Sequence, residues 1–129
     1  MDKILVHVES EVHPTESVEK VLSAIKNVFP TLQPQVYLEE GVVKAKAEGI
    51  ESLTKLHNLL RRERIRDAAK ALLRKCVTGS SVTFYINKQA AFVKRLSFSE
   101  PIREDPLGPI KVTVECDSPN DLIEWLTRT

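Results

Sequence analysis

The central stretch, residues 51–77, carries two apolar faces that one straight helix cannot bury against one surface. The first face consists of Leu53, Leu56, Leu59 and Leu60, and the second of Ile65, Ala68, Ala69, Leu72 and Cys76. At about 100° per residue the second face is rotated by roughly half a turn from the first. We therefore expect a kink or a short break near residues 61–64, with Gly79 as the helix terminator.

The same stretch is also the most basic part of the chain. Arg62, Arg66, Lys70 and Arg74 recur every four residues, which on an unbroken helix would align them on one ridge. Like charges at this spacing repel by roughly 0.2–0.5 kcal/mol per pair. Such a ridge favours an anionic partner, but a solvated helix surface or acidic neighbours within the fold would explain it equally well.

The net charge of +1 conceals a strong asymmetry along the chain. Residues 1–51 and 99–129 each carry a net charge of −4, whereas residues 52–98 carry 11 Lys and Arg against 2 Asp and Glu, which is +9. A positive field concentrated in the middle third attracts phosphate backbones. It would also dock an acidic protein surface, or be neutralised by the acidic termini.

Apolar alternation with a period of two predicts six strands, and apolar residues at helical spacing predict three helices. The strands are expected at 4–12, 35–38, 43–47, 82–86, 91–98 and 110–116, and the helices at 15–29, 51–77 and 118–126. Thr15 is the predicted cap of the first helix, and Ser118 with Pro119 should start the last one. Lys94 interrupts the apolar face of the strand predicted at 91–98, which suggests a bulge or a sheet edge.

The predicted order is β-α-β-β-α-β-β-β-α within one α+β domain, residues 1–129. Short connections join most strands, so the sheet should be largely antiparallel with the helices packed on one side. Residues 99–109 hold three prolines and a glycine and should form a loop. The polar sheet face is a second, weaker candidate surface for nucleic acid, and it would present Lys3, Lys44, Lys46, Tyr85, Arg95 and Lys111.

Signals for catalysis, cofactors and metals are absent from the sequence. There is no glycine-rich phosphate loop, no nucleophile elbow and no paired Cys or His at metal-ligand spacing. Cys76 and Cys116 are interpreted as small buried hydrophobes. We expect a protein that is not an enzyme and takes no cofactor. The N-terminal sequence shows no secretory signal, which favours the cytoplasm.

Three segments together resemble a known family. They are LHNLLRRERIRDAAKALL (56–73), INKQAAFVKRLSF (86–98) and PLGPI (106–110). The family consists of small archaeal proteins described as RNA-binding and as predicted to be exosome-associated. The resemblance implies a fold like that of the large-subunit ribosomal protein that holds the 5S ribosomal RNA.

Carried over residue by residue, the resemblance implies that nine residues belong to the family pattern. They are Arg61, Arg62, Arg64, Arg66, Asp67, Lys88, Gln89, Gly108 and Pro109. Lys70 departs from that pattern, where arginine would be expected, and it loses bidentate phosphate geometry. Asp67 has a structural interpretation as well, in which it holds a neighbouring arginine in place.

The first hypothesis is a non-catalytic RNA-binding protein that contacts phosphates through the basic segment 61–75, in RNA processing or ribosome-related work. Its candidate RNA-binding residues are Arg61, Arg62, Arg64, Arg66, Lys70, Arg74, Lys75 and Lys88. In the second hypothesis the basic segment docks an acidic partner as a subunit of an RNA-processing assembly. In the third the protein's own carboxylates neutralise the basic residues, and the chain is a bare scaffold.

Overall fold

The computed structural model describes residues 3–99 and 108–128, and within them seven strands form one antiparallel sheet. The strands are β1 (Ile4–Glu11), β2 (Gln33–Tyr37), β3 (Val42–Glu48), β4 (Val77–Thr78), β5 (Ser81–Ile86), β6 (Phe98–Ser99) and β7 (Ile110–Cys116). Their order across the sheet is β2-β3-β1-β7-β5-β4, and β6 pairs with β5. The two central strands, β1 and β7, are therefore paired on both sides.

Five α-helices and one 3-10 turn complete the described part of the chain. The helices are α1 (Val18–Val28), α2 (Thr54–Arg62), α3 (Arg66–Lys75), α4 (Lys88–Phe92) and α5 (Pro119–Leu126), and the 3-10 turn is Ile50–Leu53. The helices add their apolar faces to one core together with one face of the sheet.

Strand periodicity explains why only one face of the sheet is covered. In β1 and β7 every second side chain is buried, and the register pairs Val6 with Val114 and Val8 with Val112. Burying a Val or Leu side chain contributes about 1.5–3 kcal/mol each, so this face requires a cover of helices. The intervening side chains form the opposite, polar face. The predicted α+β class, with an antiparallel sheet and helices on one side, is confirmed.

The segment 91–98 is not the strand that its apolar alternation predicts. Asn87 instead caps α4, with its Oδ1 accepting a hydrogen bond from the Ala90 N–H at 2.8 Å. α4 places Ala91 in the core and leaves Phe92 exposed, and only Phe98–Ser99 joins the sheet. The Asn87 side chain favours a helix here, because it accepts a hydrogen bond from a backbone N–H at the helix start. That local interaction outweighs the weak alternation of apolar and polar residues, which favours a strand.

Two predicted helix starts differ in detail from the structure. Ser17, not Thr15, caps α1, with its hydroxyl accepting from the Lys20 N–H at 3.4 Å. Pro119 is the first residue of α5, as the sequence predicts, but the Ser118 side chain makes no capping hydrogen bond. The predicted loop at 99–109 falls largely on residues 100–107, which lie outside the described part of the chain.

Candidate nucleic-acid interface

The break in the central helical stretch lies where the sequence predicts it. Residues 63–65, the elbow, separate α2 from α3. The Ile65 N–H donates to the Leu60 carbonyl at 3.3 Å, and the Arg64 N–H donates to the Arg61 carbonyl at 3.2 Å. These two bonds define a Schellman motif, in which the residue after the helix cap has a left-handed backbone. Here that residue is Arg64, with φ 58°. Glycine usually occupies that position.

The elbow divides the four basic residues of four-residue spacing between two helices. Arg62 is the last residue of α2, whereas Arg66, Lys70 and Arg74 follow on α3. The two helices differ in direction because their apolar faces must both reach the core. Only the three α3 residues keep the four-residue spacing on one helix.

The end of α4 uses the same backbone motif as the end of α2. The Arg95 N–H donates to the Ala90 carbonyl at 2.8 Å, and the Lys94 N–H donates to the Ala91 carbonyl at 3.0 Å. Lys94 is left-handed at φ 63°. The interruption of the apolar pattern at Lys94 therefore marks a helix end and not a bulge or a sheet edge.

The two helix ends hold each other through their side chains. Arg95 Nε donates to Glu63 Oε1 at 2.7 Å, and the Leu96 N–H donates to the same oxygen at 3.4 Å. Arg62 Nη2 donates in return to the Lys94 carbonyl and lies 3.7 Å from Glu63 Oε1. The hydrogen bond from Arg95 lowers the pKa of Glu63 below its ordinary value. Arg62 is thus engaged within the protein.

A cleft of about 680 Å³ opens between the elbow, the start of α3 and the end of α5. We call it the arginine cleft, and its lining residues are Arg61, Arg64, Arg66, Asp67, Lys70, Glu124, Thr127 and Arg128. Five of these side chains are cationic and two are acidic, so the cleft has an excess of three positive charges. Charges of one sign in a concave surface raise the local potential.

Glu124 on α5 neutralises part of the basic surface. Its carboxylate lies 3.3 Å from Lys70 Nζ and 2.6 Å from Arg74 Nη2. The hydrogen bond from Lys70 is the main cause that lowers the pKa of Glu124. One carboxylate therefore serves two cations, and it ties α3 to α5.

The other guanidinium groups of the arginine cleft have no carboxylate partner among the described residues. Arg64, Arg66 and Arg128 make no side-chain hydrogen bond or ion pair there, and Arg61 donates only to Asn58 Oδ1 at 3.2 Å. In addition, α3 begins at the cleft without a side-chain cap, although Asp67 in its first turn offsets part of the positive charge of this helix end. The arrangement can bind phosphate groups.

Three further predicted residues lie apart from the arginine cleft lining. Arg74 sits beyond it on α3, bound to Glu124, and Lys75 is exposed at the end of that helix. Lys88 is only 4% exposed. Its ammonium lies 3.1 Å from Glu16 Oε1 and donates to the Glu11 carbonyl at 2.8 Å. Lys88 therefore points into the protein, and its charge joins the start of α4 to the end of β1 and to the segment before α1.

The contribution of α5 to the arginine cleft is what sequence reasoning missed. Arg128 and Glu124 lie more than fifty residues from Arg66, in a segment whose net charge is acidic. No local pattern signals their place, because only the packing of α5 against α3 brings them there. Asp67, interpreted as holding a neighbouring arginine, makes no ion pair among the described residues.

The polar face of the sheet is electrostatically mixed. Glu9 is paired in register with Lys44 on one side and with Lys111 on the other. His7 Nε2 lies 3.8 Å from Glu115 Oε2 on the same face. Arg95, predicted for this face, lies beyond α4 instead. Alternating signs cancel at a distance, so this face is a weaker candidate than the arginine cleft for a polyanion.

Metal ligands, cysteine thiols and apolar helices are the other features of residues 3–99 and 108–128 that bear on function. No group of three His, Cys, Asp or Glu side chains there is arranged to hold a metal ion. Cys116 is buried and Cys76 is half-buried, both as free thiols, and burial raises the pKa of Cys76. No helix in these ranges has the length and apolar character needed to span a membrane.

Sequence comparison places the chain among proteins of archaea. A family model described as RNA binding matches residues 5–116. A UPF0201 protein of Sulfurisphaera tokodaii is 45% identical over 129 residues, which is 98% of this chain and 88% of the relative. A UPF0201 protein of Sulfolobus acidocaldarius is 43% identical over 122 residues, covering 93% and 84% of the two chains.

Solved structures agree on the architecture. The crystal structure of a UPF0201 protein from Methanococcus jannaschii superposes with a TM-score of 0.82 at 31% identity, covering 95% of this chain and 98% of that one. A crystal structure from Archaeglobus fulgidus superposes with a TM-score of 0.72 at 22% identity, with 95% and 96% covered. The second likeness, at low identity, concerns the fold alone.

Proposed function

Because the chain belongs to the RNA-binding family, with UPF0201 proteins of archaea among its relatives, we propose that it binds RNA through the arginine cleft. The phosphate backbone lies along the elbow and the start of α3. Arg61, Arg64, Arg66 and Arg128 contact the phosphates, and Lys70 contributes from the floor beside Glu124.

The observation that carries this proposal is the set of guanidinium groups without a carboxylate partner. Arg64, Arg66 and Arg128 line one cleft, and none of them has an ion pair among the described residues. Neutralising a phosphate with such a group releases condensed counterions, which drives binding without base-specific contacts. The protein pairs Arg95 with Glu63, whereas the arginines of the cleft keep their charge available to a ligand.

The proposed contacts are with backbone and shape, and no chemical step is assigned to the protein. Arginine forks suit phosphate oxygens, and structured RNA presents them in fixed arrays. The setting in RNA processing or ribosome-related work, which the family resemblance implies, is part of the proposal. Arg62 and Lys88 are not among the proposed contacts, because each is bound within the protein.

The test is the salt dependence of RNA affinity, measured by filter binding to transfer RNA, ribosomal RNA and an unstructured RNA. The double variant Arg64→Ala with Arg66→Ala should lower the slope of log K against log salt by roughly 1.4–1.8, since two phosphate contacts are lost. The matched control is Lys44→Ala with Lys46→Ala on the polar sheet face. That control removes the same charge and should keep the wild-type slope.

Two outcomes would contradict the proposal. RNA affinity that stays flat from low to high salt would exclude phosphate contacts as the source of binding. A partner protein that remains bound after nuclease treatment, together with weak binding of free RNA, would favour the second hypothesis, in which the basic surface docks an acidic protein.

A further inference from the structure

A second opening lies between α1 and α4, and it shares no lining residue with the arginine cleft. It measures about 460 Å³, within the usual size of small-molecule sites. We call it the α1–α4 groove. Its apolar lining consists of Val21, Ala24, Phe92 and Val93, and its polar lining of Thr15, Glu16, Ser17, Lys20, Lys88 and Gln89.

Polar contacts hold α4 to α1 and to the segment that precedes α1 at both ends of the groove. At one end the Lys88 ammonium lies 3.1 Å from Glu16, with both side chains nearly buried. At the other end Asn27 Nδ2 donates to the Ala91 carbonyl at 2.9 Å and to the Phe92 carbonyl at 3.1 Å. The groove is therefore held at a fixed width, which would lower the entropy cost of filling it.

The groove exposes apolar surface and one free amide. Phe92 is 41% exposed and Val93 is 62% exposed, although both are large apolar side chains. Gln89 beside them is exposed, and no described residue hydrogen-bonds its amide. An aromatic ring, an aliphatic wall and an amide with both a donor and an acceptor are the elements that recognise a flat heterocycle.

A backbone contact links this groove to the edge of the arginine cleft. Arg62, next to Arg61 of the cleft, donates to the carbonyl of Lys94, which is two residues after Phe92 and so within about 7 Å along the chain. Lys20 adds a cation on the groove side, with its Nζ 5.9 Å from the centre of the Phe92 ring. The exposed ring is thus close in the chain to a residue that touches the edge of the cleft.

We propose that the α1–α4 groove takes one unpaired nucleobase of the RNA whose backbone occupies the arginine cleft, an inference that rests on the proposed function. The base stacks on Phe92 and takes the place of the exposed Lys20 ammonium over that ring, and the Gln89 amide hydrogen-bonds its edge, as Gln does with adenine. The site thereby favours RNA with a single-stranded or bulged nucleotide over a continuous duplex.

The experiment compares two single-stranded oligoribonucleotides of equal length and charge, one with all its bases and one with a run of abasic sites. Phe92→Ala should weaken binding of the base-bearing strand by about 5- to 100-fold. The same variant should leave the salt slope and the affinity for the abasic strand unchanged, because stacking involves no phosphate. A 2-aminopurine in the base-bearing strand should lose fluorescence on binding the wild-type protein and lose less on binding Phe92→Ala.

Tyr37→Ala is the matched control. Tyr37 is 38% exposed, similar to the 41% of Phe92. It also has a lysine near its ring, because Lys44 Nζ lies 5.6 Å from the ring centre. It lies on the edge strand β2 and is not among the residues that line the α1–α4 groove, so its removal should leave both affinities at the wild-type values. The control shows whether losing any exposed aromatic side chain is enough to weaken binding.

The two proposals fail in different ways. If the wild-type protein binds neither strand and also fails to bind transfer or ribosomal RNA, the proposed function is overturned, and this inference with it. If it binds transfer RNA but neither strand, only the nucleobase site is overturned. If both strands bind with a steep salt dependence but with equal affinity, and Phe92→Ala changes nothing, only the nucleobase site is overturned. Equal weakening of both strands by Phe92→Ala would also overturn it, since that result indicates a structural effect.

Discussion

Arg64 combines a backbone position that disfavours arginine with a side chain that faces the arginine cleft. A left-handed conformation costs an L-residue roughly 1–2 kcal/mol relative to the right-handed one. At a helix end, the residue with this conformation is usually glycine. Arg64 holds it at φ 58°, and its guanidinium has no partner among the described residues. The helix-end motif accounts for the backbone conformation, as it does at Lys94, and under the proposed function the RNA backbone accounts for the charge.

Arg64→Gly should therefore separate stability from binding. The free energy of unfolding should stay the same or rise by up to about 1 kcal/mol, because relief of the strain outweighs the added freedom of the unfolded chain. RNA affinity should fall several-fold. Urea unfolding and filter binding measure the two effects. Lys94→Gly, at φ 63°, is the control for strain and should show the same change in stability. A clear loss of stability in both variants would refute the strain argument.

Among the elements, the helices are joined by a few carboxylates, each shared between two cations. Glu63 holds the ends of α2 and α4 together through Arg95 and Arg62, and Glu124 joins α3 to α5 through Lys70 and Arg74. The contacts of Glu63 give Arg62 a structural role. The contacts of Glu124 mean that α5 completes the arginine cleft, and that the Glu124 carboxylate competes with RNA for Lys70 and Arg74.

Glu124→Gln should strengthen RNA binding, because it frees Lys70 and Arg74 for phosphates. The slope of log K against log salt should steepen by up to roughly 1.4–1.8 if both cations then contact the RNA. Glu115→Gln on the polar sheet face makes the same change in net charge and should alter binding little. Filter binding at several salt concentrations measures this. An unchanged slope in Glu124→Gln would indicate that α5 faces away from the RNA.

For the whole molecule, the two shared carboxylates predict how stability depends on pH. The pKa values of Glu63 and Glu124 both lie below their ordinary value of 4.5. A carboxyl group with a lowered pKa in the folded state stabilises the fold above its unfolded pKa, and that contribution is lost as the pH falls through the lowered value. Lowering the pH should therefore weaken the contacts of α2 with α4 and of α3 with α5.

The double variant Glu63→Gln with Glu124→Gln should lose less stability than the wild type when the pH falls from neutral to about 3, because the groups whose protonation costs stability are gone. Urea midpoints across that range measure the difference. Glu39→Gln with Glu40→Gln removes the same charge from the exposed β2–β3 turn, and it should follow the wild-type curve. Identical pH curves for all three proteins would contradict the assignment.

The sequence by itself determined the features that depend on local periodicity. Alternation in β1, β5 and β7 and the shift in apolar phase around the elbow follow from how side chains project from a strand or helix, so neighbouring residues suffice to predict them. The sequence predicted the break near residues 61–64 and, from the short connections between strands, an antiparallel sheet. It also showed the concentration of basic residues around the elbow directly. The family resemblance added the expectation of RNA binding, which the RNA-binding family model supports.

Only the tertiary structure decided which charges remain available to a ligand. Lys88 looks like any other basic residue in the sequence, but the packing of α4 on α1 buries it against Glu16. Arg128 and Glu124 enter the arginine cleft through contacts between segments far apart in the chain. Charge is a local property of a side chain, whereas its neutralisation depends on which distant carboxylate the fold brings within about 4 Å, and no spacing rule along the chain encodes that distance.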